Sequence, residues 1–499
     1  MPDCTASQRN RADLSCVFQN RFRVATMQMI DKIYIDGAFV TPHGDELFDL
    51  FNPATEQVIG RVRLADAQDA CDAIAAAKRA FPAFSHTSKR ERIDMLKRMH
   101  EAVVAKEDEL YEAITEEYGA PVSRGRWMAQ HASNVLLEAA KVLEDYAFTR
   151  RAGTADVVMQ PLGVAGLITP WNSDAGFICG KLAAALAAGC TAVIKPSEMS
   201  AIQTRVVTEA LHAAGLPAGV FNIVTGRGET VGAQISTHPD VAKLSFTGST
   251  AVGKAILRAG AETLKRVTLE LGGKSPVIVL DDANFDQAVP LAIQAGFMNS
   301  GQACIAGTRI LVPQHRLAEF EARVQEEVAR TQAGDPRDPQ TTVGPMVSQK
   351  QWERVQRYIG IGTDEGARLI AGGPGRPDGV EAGWFVRPTV FSDVTNDMTI
   401  AREEIFGPVL SILTYRDTEE AIAIANDTQY GLQAYVFSAD AQRAREVAAR
   451  IDAGRVLVNT LAHEPAAPFG GFKQSGIGRE YGTFGLEAFL EPKSVLAAS

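Results

Sequence analysis

Between residues 161 and 273 short apolar runs and amphipathic runs alternate in an unbroken rhythm. PLGVAGLITPW (161–171) reads as a strand ending at a loop, and CGKLAAALAAG as the helix after it. CTAVIKPSE, QTRVVTEALHAAG, GVFNIVTG, KLSFTGST, VGKAILRAGA and LKRVTLELGG continue the series. Repeated β–α units of this length imply a parallel sheet covered by helices on both faces, with ligands expected beyond the carboxyl ends of its strands. A second α/β series runs from SPVIVLDDAN through TRILVP and a long helix over 317–333 to RVLVNT (455–460). The fold class is therefore α/β.

The rest of the chain fits around these series. DKIYIDGAFV (31–40) alternates and reads as a hairpin opening the folded part. From Asp66 to about Lys141 apolar residues recur every three or four positions, which reads as helix, with Gly119 and Pro121 closing the second run. LEAFLEPKSVLAA near the end reads as an edge element suited to pairing with another subunit. At 499 residues, two or three domains are expected.

Composition excludes several classes. A net charge of −10 with no Lys/Arg cluster speaks against a nucleic-acid surface. No run approaches a membrane span, because Gly, Pro and charges interrupt every apolar stretch. Six cysteines are too sparse for a disulfide framework and their spacings match no zinc site, so a reducing, cytoplasmic compartment and no metal are expected. The first 30 residues read as a disordered extension or a start upstream of Met27 or Met29.

Cys304 stands in FMNSGQACIAG (297–307) among small residues, as a nucleophile that a substrate must reach would, whereas a structural cysteine usually has large apolar neighbours. Glu270, in TLELGG, closes an apolar strand; facing Cys304 across a dry cleft it would be a general base, and otherwise a surface carboxylate. Asn172 in TPWNSDAG is a donor for an oxyanion or a helix cap. Lys181 on the following helix reads most simply as an ion-pair partner. Lys195 and Glu198 in IKPSE fit ribose recognition, a carboxylate there favouring NAD over NADP, or a solvated pair on a loop tip. FTGSTAVGK (246–254) fits a pyrophosphate at a helix start or an ordinary strand–helix turn. EEIFGPV (403–409) offers Glu404 for a ribose and Phe406 for a nicotinamide, or a plain helix-to-strand junction.

Together TPWN, IKPSE, SFTGST, LELGGKSP, NSGQAC, EEIFGPV and PFGGFKQSG (468–476), in this order, resemble the aldehyde dehydrogenase superfamily across roughly residues 31–499. The resemblance implies Cys304 as nucleophile, Glu270 as base and Asn172 as oxyanion donor. It implies Lys195 and Glu198 at the adenosine ribose, Glu404 at the nicotinamide ribose and Phe406 at its ring. Trp171, Gly248 and Ser249 would line the pyrophosphate region. It further implies a Rossmann-like NAD-binding domain over 31–144 and 161–272, an α/β catalytic domain over 273–486, and a small β oligomerisation element from 145–160 and 487–499 that makes homodimers or homotetramers. A small-molecule aldehyde is the implied substrate and NAD the cofactor, with NADP less favoured. Relatives that transfer the acyl group to CoA usually lack a glutamate at the position of Glu270, so hydrolysis is expected.

The departures concern the substrate. Ser173 and Asp174 replace an aromatic residue and a proline common in the family, and Gly176 and Gly180 flank Phe177 where bulky side chains often line the entrance. Ala303 and Ile305 flank the nucleophile. A roomier or differently shaped tunnel is expected, so that a bulky or cyclic aldehyde fits as well as a short one. His463 and Glu464 fall in the loop where relatives build the mouth; His463 either faces solvent or bonds a polar substituent, and Phe469 is the apolar wall implied near the thiol. An acid-tailed semialdehyde is the alternative substrate. It needs a cationic anchor, for which Arg309 and Lys473 are the sequence's candidates.

Overall fold

The computed structural model describes residues 27–496. Its first sheet has eight strands in the spatial order Gly476–Ile477, Arg266–Glu270, Val241–Thr247, Val164–Ile168, Thr191–Lys195, Phe221–Ile223, Ile33–Ile35 and Ala38–Val40. The strands from Arg266–Glu270 to Phe221–Ile223 are parallel. The chain starts this block at Val164–Ile168, builds outward through the next two strands, then returns to the other side with Val241–Thr247. The winding direction reverses between these two central strands, leaving a crevice where Trp171 and Gly248 follow the strand ends. Such a switch point is where open α/β sheets bind ligands.

Helix Asp174–Ala188 has polar residues only at a few positions, and all but three of its fifteen residues are buried. A helix apolar on all sides needs cover on all sides. It lies against Val122–Asp145, the last of the helices that fill the region read as helical, and against Lys89–Val104 and Ala201–Ala213. The hairpin Ile33–Ile35 with Ala38–Val40 turns at Asp36 and Gly37, both left-handed, and seals one edge of the sheet.

The second sheet has seven strands, ordered Arg368–Ala371, Thr389–Ser392, Val409–Tyr415, Arg309–Pro313, Pro276–Val279, Gln433–Phe437 and Arg455–Val458, all parallel but the first. A three-stranded sheet pairs Leu490–Val495 with Ala155–Pro161 and that strand with Thr149–Ala152.

Three boundaries differ from expectation. Gln28–Ile30 forms a strand paired with Gln57–Arg63, so ordered structure starts inside the segment read as an extension; residues 1–26 lie outside the described residues. LEAFLEPKSVLAA is two elements, the end of helix Gly482–Glu487 and then strand Leu490–Val495, because an antiparallel partner exists only for the second half. Gly476–Ile477 comes from the segment assigned to the catalytic domain, yet it pairs with Arg266–Glu270 and covers the free edge of the first sheet.

Candidate active site

The loop that carries Cys304 leaves helix Phe285–Phe297 through three consecutive left-handed residues, Asn299 (φ 54°), Ser300 (φ 58°) and Gly301 (φ 72°). For residues with a Cβ this costs about 1–2 kcal/mol each, so the surroundings must hold it. Asn299 Nδ2 donates to the carbonyls of Asn172 and Gln302 at 3.1 Å each, and Ser300 Oγ accepts from Gly344 N–H at 2.8 Å. A Cβ on Gly301 would overlap the carbonyl carbon of Gly407. The turn thus wedges the cysteine loop against Gly407 and ties it to the strand-end loop of Asn172. Asn172 Nδ2 donates to Gln302 O at 3.0 Å, which leaves the second amide N–H for another acceptor.

Cys304 is half-buried, and its thiol is pushed up to about 12 by burial, with the carboxylates of Glu404 and Glu270 adding in the same direction. Glu270 ends strand Arg266–Glu270 and is 2% exposed; neither of its carboxylate oxygens has a hydrogen-bond partner among the described residues. Burial and the neighbouring Glu480 hold it well above the usual carboxylate range, while Lys181 and Arg479 pull it down. A buried carboxyl without donors is a proton acceptor of raised basicity. Lys181 forms an ion pair, as read from sequence, and its partner is Glu480.

The crevice carries groups suited to a dinucleotide. Lys195 Nζ donates to Glu198 Oε2 at 3.0 Å, and Arg227 Nη1 approaches the other oxygen at 3.5 Å. Ser249 Oγ caps helix Thr250–Ala261, whose first turn opens beside Gly248 at the switch point. Gly273 N–H donates to Glu404 Oε1 at 3.1 Å, and a Cβ on Gly272 would collide with the Glu404 carboxylate. Burial raises Glu404 to about 7. Phe406, itself left-handed at φ 61°, meets Trp171 edge-to-face with centroids 5.4 Å apart. A carboxylate at one end, a helix start between and a second carboxylate beside an aromatic ring at the other fit an extended dinucleotide.

A cavity of about 840 Å³ opens on Cys304. Asn172, Ser173, Gly176, Phe177, Ala303, Ile305, His463 and Phe469 line it, so the structure brings these residues together. Gly180 is not among them; it sits one helical turn further along, facing Val135 and a separate small recess. The room expected beside Gly176 is largely filled by His131, whose Cδ2 stands 3.0 Å from where a Cβ would be. Arg309 and Lys473 do not reach the cavity. Arg309 is buried against Asn396 and the carbonyls of Ile424 and Ala425, and Lys473 bonds Asn426 O and pairs with Asp452.

Sequence reading passed over His131, Tyr481, Arg124 and Arg455, which also line the cavity. Their only local signal is polarity within otherwise ordinary helix, loop and strand segments. His463 does more than face solvent, since its Nδ1 accepts from Arg455 Nη1 at 2.8 Å.

The aldehyde dehydrogenase family model matches residues 39–495. A relative from Staphylococcus haemolyticus, named by this family, is 45% identical over 463 residues, 93% of this chain and 98% of the relative. The chain superposes at a TM-score of 0.92 on aldehyde dehydrogenase C of Pseudomonas syringae, a cysteine-to-alanine mutant complexed with NAD+ and octanal; identity is 46%, covering 93% of this chain and 96% of that one. It superposes equally, at 0.92 and 39% identity, on the aldehyde dehydrogenase of Mycobacterium tuberculosis complexed with NAD+, covering 95% and 99%. The cysteine loop, the strand-end crevice and these matches along nearly the whole length show that the chain belongs to the aldehyde dehydrogenase family.

Proposed function

We propose that the protein oxidises a bulky aldehyde to its carboxylic acid with NAD+ and water, through an acyl group held on Cys304. The observation that carries this is the convergence of Cys304 and Asn172 on one cavity, with the unpartnered carboxyl of Glu270 near enough to raise the thiol's pKa. NAD+, when bound, supplies the hydride acceptor. Glu198 with Lys195 would hold the adenosine ribose, Glu404 the nicotinamide ribose and Phe406 its ring, with Trp171, Gly248 and Ser249 at the pyrophosphate. Glu198 favours NAD over NADP, because a 2′-phosphate there would meet a like charge.

Cys304 Sγ passes its proton to solvent water and bonds to the aldehyde carbon, and the carbonyl oxygen becomes an alkoxide. The second amide N–H of Asn172 and the Cys304 N–H would hold that charge. Loss of hydride leaves a thioester on Sγ. Glu270 takes a proton from water as the water oxygen adds to the thioester carbon, and the C–S bond breaks to release the acid. The cavity volume supports a bulky or cyclic substrate. The strand Leu490–Val495 beside Ala155–Pro161 supports a homodimer or homotetramer built on this sheet. Free thiols at Cys71, Cys179, Cys190 and Cys304 support a cytoplasmic setting.

The test is NADH formation with a panel running from acetaldehyde to octanal and benzaldehyde, beside Cys304→Ala. Turnover lost in the variant is expected. No reduction with any aldehyde overturns the reaction, and a strong preference for acetaldehyde overturns the substrate size.

A further inference from the structure

Resting on this reading of the site, we infer that the cavity binds aldehydes carrying a carboxylate at the end remote from the aldehyde carbon, with Arg124 as its principal anchor and Arg455 assisting. Both arginines line the cavity that opens on Cys304. Arg124, on helix Val122–Asp145, uses only Nε within the protein, donating to Asn299 Oδ1 at 3.3 Å. Its two terminal nitrogens have no acceptor among the described residues, and the guanidinium lies over the Trp127 ring at 4.1 Å. Stacking fixes the plane while leaving the fork open, which is the geometry that takes a carboxylate with two parallel bonds.

Arg455 lines the same cavity. Nε donates to Gln433 Oε1 at 2.6 Å and Nη1 to His463 Nδ1 at 2.8 Å, so Nη2 alone lacks an acceptor among the described residues. A chain of rings links the two arginines. Trp127 stacks on His131 at 4.6 Å, His131 meets His463 edge-on at 6.3 Å, and His463 receives Arg455.

The charge balance points the same way. Among the described residues no carboxylate stands within 4.0 Å of either guanidinium. Glu327 and Arg330, which also line the cavity, pair with each other at 3.0 Å and so compensate themselves. Burial keeps His131 near pKa 4 and lowers His463, so neither supplies or needs a counter-charge near neutral pH. Two cations without counterions in a partly dry wall cost stability and favour an anion there. The substrate's uncharged carbonyl would sit at Cys304, its carboxylate away from Glu270 and Glu404. Neither Arg309 nor Lys473 is needed.

The experiment compares para-carboxybenzaldehyde with para-carbamoylbenzaldehyde, nearly equal in size and differing in charge. Wild-type kcat/KM should favour the carboxylate, and Arg124→Gln should reduce that preference roughly 10- to 100-fold, with Arg124→Lys restoring part of it. Arg455→Gln should reduce it less. A wild-type preference for the amide, or a ratio unmoved in both glutamine variants, overturns the inference. Should a variant not fold, terephthalate and terephthalamide are compared as competitive inhibitors of octanal oxidation by the wild-type enzyme. Stronger inhibition by the dianion supports the inference and equal inhibition overturns it. Oxidation of both benzaldehydes without preference sinks the anchor alone, whereas failure on every aldehyde sinks the proposed reaction.

Discussion

The Lys181 ammonium and the Glu480 carboxylate form a buried ion pair that Ser245 closes into a ring, its Oγ accepting from Lys181 at 3.0 Å and meeting Glu480 Oε1 at 3.1 Å. The ring sits beside Glu270, and its two charges act on that carboxyl in opposite directions. Acting on top of burial, which raises this carboxyl most, the two charges tune how readily Glu270 takes a proton.

Glu270 works as a base only when deprotonated, so the proposed hydrolysis should gain rate as pH rises through its elevated pKa. Lys181→Met removes the cation that lowers this pKa and should move the acid limb of the kcat profile to higher pH. Glu480→Gln removes the anion that raises it and should move the limb to lower pH. Shifts on the order of one pH unit are expected. Limbs that stay together in both variants would detach the ring from Glu270.

Replacing Glu270 with Gln should leave acylation of Cys304 and impair release of the acid. Rapid-mixing measurements should then show a burst of NADH close to one per active site, followed by turnover slowed by roughly 10²- to 10⁴-fold. A slow reaction with no burst would place Glu270 in the first half of the cycle instead.

Gly301→Ala inserts a methyl group where the Gly407 carbonyl stands and holds a Cβ-bearing residue at φ 72°. The left-handed backbone alone costs about 1–2 kcal/mol, and displacement of the loop would carry Cys304 with it. Thermal unfolding should shift downward and activity should fall by more than the loss of folded protein accounts for. Unchanged activity would mean that the loop tolerates other conformations.

Glu198→Gln leaves Lys195 and Arg227 without the carboxylate they share. The remaining cations would then face a 2′-phosphate, and the NADP+ to NAD+ ratio of kcat/KM should rise by about tenfold or more. The same ratio in both proteins would show that Glu198 does not meet the adenosine ribose.

Much of the site was legible because it lies where regular elements end. TPWN, IKPSE and FTGST follow strands that periodicity locates, and the parallel order of those strands brings Asn172, Lys195 and Ser249 to one edge. The substrate wall was less legible. Gly176 and Gly180 look alike in sequence, yet one faces the cavity under His131 and the other faces Val135. A turn of helix separates them, and only the packing of Val122–Asp145 decides which is exposed.

The sequence by itself determined the family, since seven short motifs stand in one order along the chain and the family model matches residues 39–495. Only the tertiary structure decided that Arg124 and Arg455 share a cavity, that Arg309 and Lys473 do not, and that Glu480 stands behind Glu270. Periodicity shows which face of an element is buried. It carries no information on which distant element covers that face, and the pairing of charges depends on that cover.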